Sequence, residues 1–116
     1  MIRSFDERLE DILQAISAID VATDFLVSES SDDRAGDIAI DAICYRLITI
    51  GEAVKAVDAD SLESFPGVKW SQIARLRDLI THHYHRRDID VILMTIGRPL
   101  AELKQAVTEA RNSLNP

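Results

Sequence analysis

Apolar residues return every three or four positions along nearly the whole chain, a period that lines one face of an α-helix and does not fit the alternation of a β-strand. Ser4-x-x-Glu7 reads as a capping box, in which each residue satisfies a backbone donor left open by the first helical turn. Behind it Phe5, Leu9, Ile12, Ile16 and Ile19 form a stripe that fades near Leu26. Ser28 to Asp37 is polar and predicts a loop. In the second helix Ala39, Ile43, Leu47, Ile50, Val54 and Val57 make one apolar row, and Ile40, Cys44 and Ile48 a second. A helix apolar on two faces belongs in the middle of a bundle or at a subunit interface. Gly51 interrupts it at a cost of about 1 kcal/mol relative to alanine, which close helix packing would explain.

Asp58 to Lys69 reads as a connection through Pro66-Gly67 with one short helical turn. A third helix is predicted from about Ser71 to the Tyr84 region, with Ile73, Leu76 and Ile80 on its core face. Asp88 is a good N-cap for a fourth, whose stripe is Ile89, Ile92, Ile96, Leu100, Leu103, Val107 and Leu114. Pro99 should kink it. The reading is an all-α, antiparallel helical bundle of four long helices plus a short one, forming a single domain over residues 1–116.

Cys44 is the only cysteine and lies in an apolar run, so it reads as a small buried hydrophobe. No Cys/His spacing resembles a zinc site, and no metal or cofactor is expected. The charged start of the chain predicts no signal peptide, and the apolar runs are too short for a membrane span. The expected address is the cytoplasm. A net charge of −7 argues against a general nucleic-acid binder. The average hides an asymmetry, because Arg75 to Arg87 carries +3 and the rest of the chain −10. A short basic island on an acidic body is a local anion site.

That island holds all three histidines. His83 continues the apolar spacing and reads as half-buried packing, while His85 lies where the helix should end and reads as solvated. His82 is off the stripe and four residues after Asp78, a spacing that permits a carboxylate–imidazole pair. Arg77 and Tyr84 nearly superpose on a helical wheel, whereas Arg77 and His82 lie about 140° apart. Either the helix ends near His82 or two copies of the chain face each other and share a site. Arginine can bind a phosphate and histidine can move protons near neutral pH. Together they suffice to cleave RNA, which carries its own nucleophile in the 2′-OH.

Arg77-x4-His82-x-Tyr84 resembles the R-x4-H-x-Y motif of the HepT-like HEPN ribonucleases, toxin components of toxin–antitoxin pairs. Leu47-Ile48-Thr49-Ile50-Gly51-Glu52-Ala53 is similar to that family's IGEA segment. Phe65-Pro66-Gly67-Val68-Lys69-Trp70 is similar to its approach to the third helix, and Pro99-Leu100 with Leu103 to its closing segment. Order and spacing agree over roughly residues 5 to 110. The resemblance implies a dimeric bundle with the motif lining a cleft between protomers, as a homodimer or higher homo-oligomer. It implies a type VII toxin that cuts RNA without metal, with Arg77 and His82 as the active pair. It implies as partner a minimal nucleotidyltransferase antitoxin, which attaches AMP to the motif tyrosine, here Tyr84. Arg86 and Arg87 would support the RNA, Glu52 matches a recurrent glutamate, and Asp78 stands where asparagine is common. A carboxylate there weakens a phosphate site unless it pairs with His82 or Arg77. A second reading makes the chain a non-catalytic partner of a nucleotidyltransferase, and a third a structural helical dimer.

Overall fold

A computed structural model of the chain describes residues 3–28, 33–86 and 88–116. Seven helices run in the order α1 (Phe5–Ser28), α2 (Asp33–Lys55), α3 (Ala59–Glu63), α4 (Trp70–Ala74), α5 (Leu76–His85), α6 (Ile89–Thr95) and α7 (Arg98–Leu114). There is no strand among the described residues. The capping box forms as read: Ser4 N–H donates to Glu7 Oε1 at 2.8 Å and Glu7 N–H donates to Ser4 Oγ at 3.1 Å. Asp58 caps α3, accepting from Ser61 N–H at 3.0 Å.

The predicted stripes make the core. Leu9, Ile12, Ile16 and Ile19 of α1 pack with Ile43, Leu47, Ile50 and Val54 of α2, and Ile80, Ile92, Leu100 and Val107 close over them. Each such fully buried aliphatic side chain stabilises the fold by roughly 1.5–3 kcal/mol in transfer terms. Two predicted stripe residues stay outside the core: Leu114, 42% exposed at the end of α7, and Val57, which lies beyond the end of α2. Cys44 is buried, and burial pushes its thiol up to about 11. The helix α2 is central, packed against α1, α4 and α5, while α7 covers the other side of α1. Arg111 and Asn115 near the end of α7 hold Asp6 at the start of α1, so these two helices are antiparallel. Phe5, Phe65 and Trp70 form an aromatic cluster at the same end, with Trp70 Nε1–H donating to Phe65 O at 3.0 Å.

Three predicted boundaries move. The expected loop to Asp37 is helical from Asp33 onward, because Ala35 and Gly36 pack half-buried and Gly36 sits against Leu26 of α1. Tertiary contact outweighs polar composition there. The third long helix is broken at Arg75 into α4 and α5, with Arg75 N–H turning back to Ile73 O. The fourth is broken at Ile96-Gly97, so Pro99 stands in the first turn of α7 and starts that helix instead of kinking a longer one.

At the break at Arg75 the backbone of α2 comes close. A Cβ on Gly51 would stand 2.8 Å from Arg77 N and 3.3 Å from Ile73 O, both backbone atoms that cannot swing aside. Gly51→Ala is therefore expected to destabilise the protein by about 1–3 kcal/mol in urea unfolding, although alanine is the better helix former. An unchanged or higher midpoint would show that the backbones do not meet this closely.

Candidate active site

The helix α5 carries Arg77, Asp78, His82, His83, Tyr84 and His85 on ten continuous residues. Two long-range contacts clamp it antiparallel along α2. At its start Arg77 Nε meets Glu52 Oε1 at 2.5 Å, and toward its end the Tyr84 hydroxyl donates to Asp41 Oδ1 at 2.8 Å. Arg77 and Tyr84 thus share the flank of α5 that faces α2, as the wheel predicts. His82 is exposed and lies about 140° around the helix from Arg77. The helix does not end at His82 but continues to His85, so the first of the two arrangements that could bring the pair together, a helix ending near His82, is not found.

Asp78 does not pair with His82. Its carboxylate lies 3.4 Å from Arg77 Nη1 and 3.7 Å from Lys55 Nζ. Glu52, Lys55, Arg77 and Asp78 form an exposed quartet of alternating sign, so the basic island is neutralised at its Arg77 end. Glu52, read as a recurrent family position, is the residue that fixes the Arg77 guanidinium. Arg86 is exposed at the C-terminal end of α5, with Nε 3.7 Å from Asp88 Oδ2. Arg87 lies outside the described residues.

His83 is half-buried, as its spacing implied, and its Nδ1 stands 2.8 Å from Asp88 Oδ2. Asp88 occupies the N-cap position of α6, but its side chain makes no cap hydrogen bond and serves His83 instead. His85 is exposed, as read. Asp41 was not singled out from the sequence, although its distance from Glu52 is three helical turns and the two mark one polar row on α2. No group of three His, Cys, Asp or Glu that could hold a metal ion occurs among the described residues. Among the same residues no helix is long and apolar enough to cross a membrane.

These features define an all-helical bundle that presents an Arg-x4-His-x-Tyr helix, fixed at both ends to the central helix of the fold. The chain belongs to the HepT-like ribonuclease family, whose description, Ribonuclease HepT-like, matches residues 6–110. It is 32% identical over 110 residues to a protein of Thermococcus cleftensis named "Probable ribonuclease HepT", covering 90% of this chain and 93% of that one. It is 29% identical over 113 residues to a protein of Methanocaldococcus jannaschii named "Putative RNase MJ0127", covering 93% and 88%. No solved structure matches the chain.

The His83–Asp88 contact ties α5 to α6 and has a pH signature. The hydrogen bond from His83, with the nearby charges of His83, Arg86 and His82, holds the Asp88 carboxyl below its ordinary value of 3.8. A carboxyl depressed in the folded state contributes stability above its unfolded pKa and loses it as pH falls through the folded one. Asp88→Asn should lower the thermal midpoint at neutral pH, and the gap from the parent should close as pH drops below 3.8. A gap of constant size through acid would show that ionisation of Asp88 contributes nothing.

Proposed function

We propose that this chain is a metal-independent endoribonuclease, the toxin of a type VII toxin–antitoxin pair, working in the cytoplasm as a homodimer or higher homo-oligomer. The observation that carries the reading is the placement of the motif: a HepT-like chain has Arg77, His82 and Tyr84 on one continuous helix, with Arg77 and Tyr84 anchored to α2 and His82 left exposed. In the proposed reaction His82 takes the proton of an RNA 2′-OH. The 2′-oxygen attacks the adjacent phosphorus, and the 5′-oxygen of the next nucleotide leaves and takes up a proton. The products are a 2′,3′-cyclic phosphate and a 5′-hydroxyl. Arg77, oriented through Nε by Glu52, supplies its Nη hydrogens to the oxygens that gain charge in the transition state. Because Arg77 and His82 diverge around α5, the site takes one residue from each of two facing copies. Arg86 and Arg87 hold flanking phosphates.

Silencing falls to a minimal nucleotidyltransferase antitoxin. The Tyr84 hydroxyl attacks the α-phosphate of ATP and releases pyrophosphate, leaving AMP on the ring. That adds negative charge where RNA would lie and costs Tyr84 its hydroxyl proton, hence its donation to Asp41. A second reading keeps this partner and drops the cleavage. The pairing of Arg77 with both Glu52 and Asp78 favours it, since a phosphate has to compete with two carboxylates.

Expression of the chain alone should arrest growth under the first reading and not under the second. His82→Ala should abolish RNA cleavage at an unchanged thermal midpoint, and EDTA should leave the parent's cleavage intact. A folded His82→Ala protein that cuts RNA as fast as the parent, or a strict divalent-metal requirement, would overturn the mechanism. Intact mass after co-expression with the antitoxin should show AMP, mapped by peptide sequencing to Tyr84.

A further inference from the structure

Glu52 also borders an open hollow of about 370 Å³ between α1 and α2. Arg8, Asp11 and Gln14 line it from α1, and Arg46, Thr49 and Glu52 from α2. Its two carboxylates are already engaged. Arg3 grips Asp11 through Nε and Nη2, each at 2.7 Å, and Arg77 holds Glu52. Its two arginines are not. Arg8 and Arg46 are half-buried, and neither joins an ion pair among the described residues. Two guanidinium groups that line one hollow without a carboxylate partner can take an anion brought from outside.

An exposed aromatic ring lies against one of these arginines. Tyr45 is 64% exposed, and the Arg46 guanidinium sits 5.6 Å from its ring centroid. Tyr45 and Glu52 are seven residues apart on α2, so they fall within about 20° of each other around the helix. Asp41 lies one turn before Tyr45 on the same ridge. Tyr45 therefore stands between the contact that holds Tyr84 and the contact that holds Arg77. A phosphate-ready arginine pair beside an exposed ring with a guanidinium against it is the combination that takes a single-stranded nucleotide, phosphate on the arginines and base on the ring.

We propose that Arg8, Arg46 and Tyr45 form a nucleotide subsite for single-stranded RNA, adjoining the Arg77 motif and seating a nucleotide that flanks the bond to be cut. The proposal rests on the ribonuclease reading for its substrate but not for its geometry. It assigns an RNA contact to the α1–α2 face, outside the R-x4-H-x-Y helix, and supplies positive charge that the neutralised Arg77 quartet does not.

The test uses the full chain carrying His82→Ala and a labelled single-stranded RNA. Tyr45→Ala should weaken binding roughly tenfold and Tyr45→Phe should retain it within about twofold, because the ring and not the hydroxyl is used. Arg46→Gln should weaken binding and flatten the plot of log Kd against log salt by about 0.7, the signature of one lost phosphate contact on a single strand. Tyr45→Trp should give an emission that RNA quenches and inorganic phosphate does not. Unchanged affinity in folded Tyr45→Ala and Arg46→Gln proteins overturns the subsite. So does a Tyr45→Ala loss that follows a fall in assembly mass by sedimentation, which would make Tyr45 an interface residue. If the parent cuts no RNA but the subsite variants still lose binding, the ribonuclease reading fails and the subsite stands. If the parent cuts RNA and the variants bind it as before, the subsite alone fails. A chain that binds no RNA in any form removes both.

Discussion

The contact at Gly51 sets the position of everything on α5. A glycine inside a helix costs stability, and here the return is an approach of two backbones that any side chain would block. The N–H of Arg77 comes against α2 at this point, one residue before Glu52. The guanidinium and its carboxylate are therefore neighbours before any rotamer is chosen. With its start fixed and its direction antiparallel, α5 carries Tyr84 back along α2 to Asp41. The break at Arg75 belongs to the same constraint, because the chain bends where α2 presses on Ile73 and Arg77.

The same packing redistributes charge. In sequence Arg75 to Arg87 is a +3 island, yet the fold brings Glu52 and Lys55 from α2 to its first turn. Arg77 is then oriented and partly neutralised. Among the described residues, Arg8 and Arg46 also carry positive charge without a carboxylate partner, on a face that the linear charge pattern does not mark. In a chain of net charge −7, the proposed contacts with RNA depend on such local departures from the average.

Much of the fold was legible because a helical stripe is a local pattern. Leu9, Ile12, Ile16 and Ile19, or Ile43, Leu47, Ile50 and Val54, announce their buried face through spacing alone, and all are buried. The helix breaks were not legible. Arg75 carries no breaker, and its break answers to Gly51, distant in sequence. Pro99 was visible, but whether it kinks a helix or opens one depends on where Gly97 turns the chain. The site divides in the same way. His83 as packing, His85 as solvated and the shared flank of Arg77 and Tyr84 follow from helical angle. The partners Asp41 and Lys55 do not, because a polar residue on a helix reads as solvated until another helix is laid against it. Asp88 was placed at the right position with the wrong partner, since a half-buried imidazole competes better for its carboxylate than the backbone of α6.

The continuity of α5 has the strongest consequence for the chemistry. Had the helix ended at His82, the last residues could have folded back and brought the imidazole toward Arg77. It runs to His85, with His83 held by Asp88 and Tyr84 by Asp41, so the segment around His82 is fixed on both sides. His82 and Arg77 stay on different flanks in each copy. On the ribonuclease reading proposed above, a reaction that needs a proton acceptor and a phosphate clamp at one phosphorus would call for two chains paired about a twofold axis, with each His82 facing the other copy's arginine. On that proposed geometry the Glu52 and Asp41 anchors would matter twice over, because a tilt of α5 would displace Arg77 in one half of the cleft and His82 in the other.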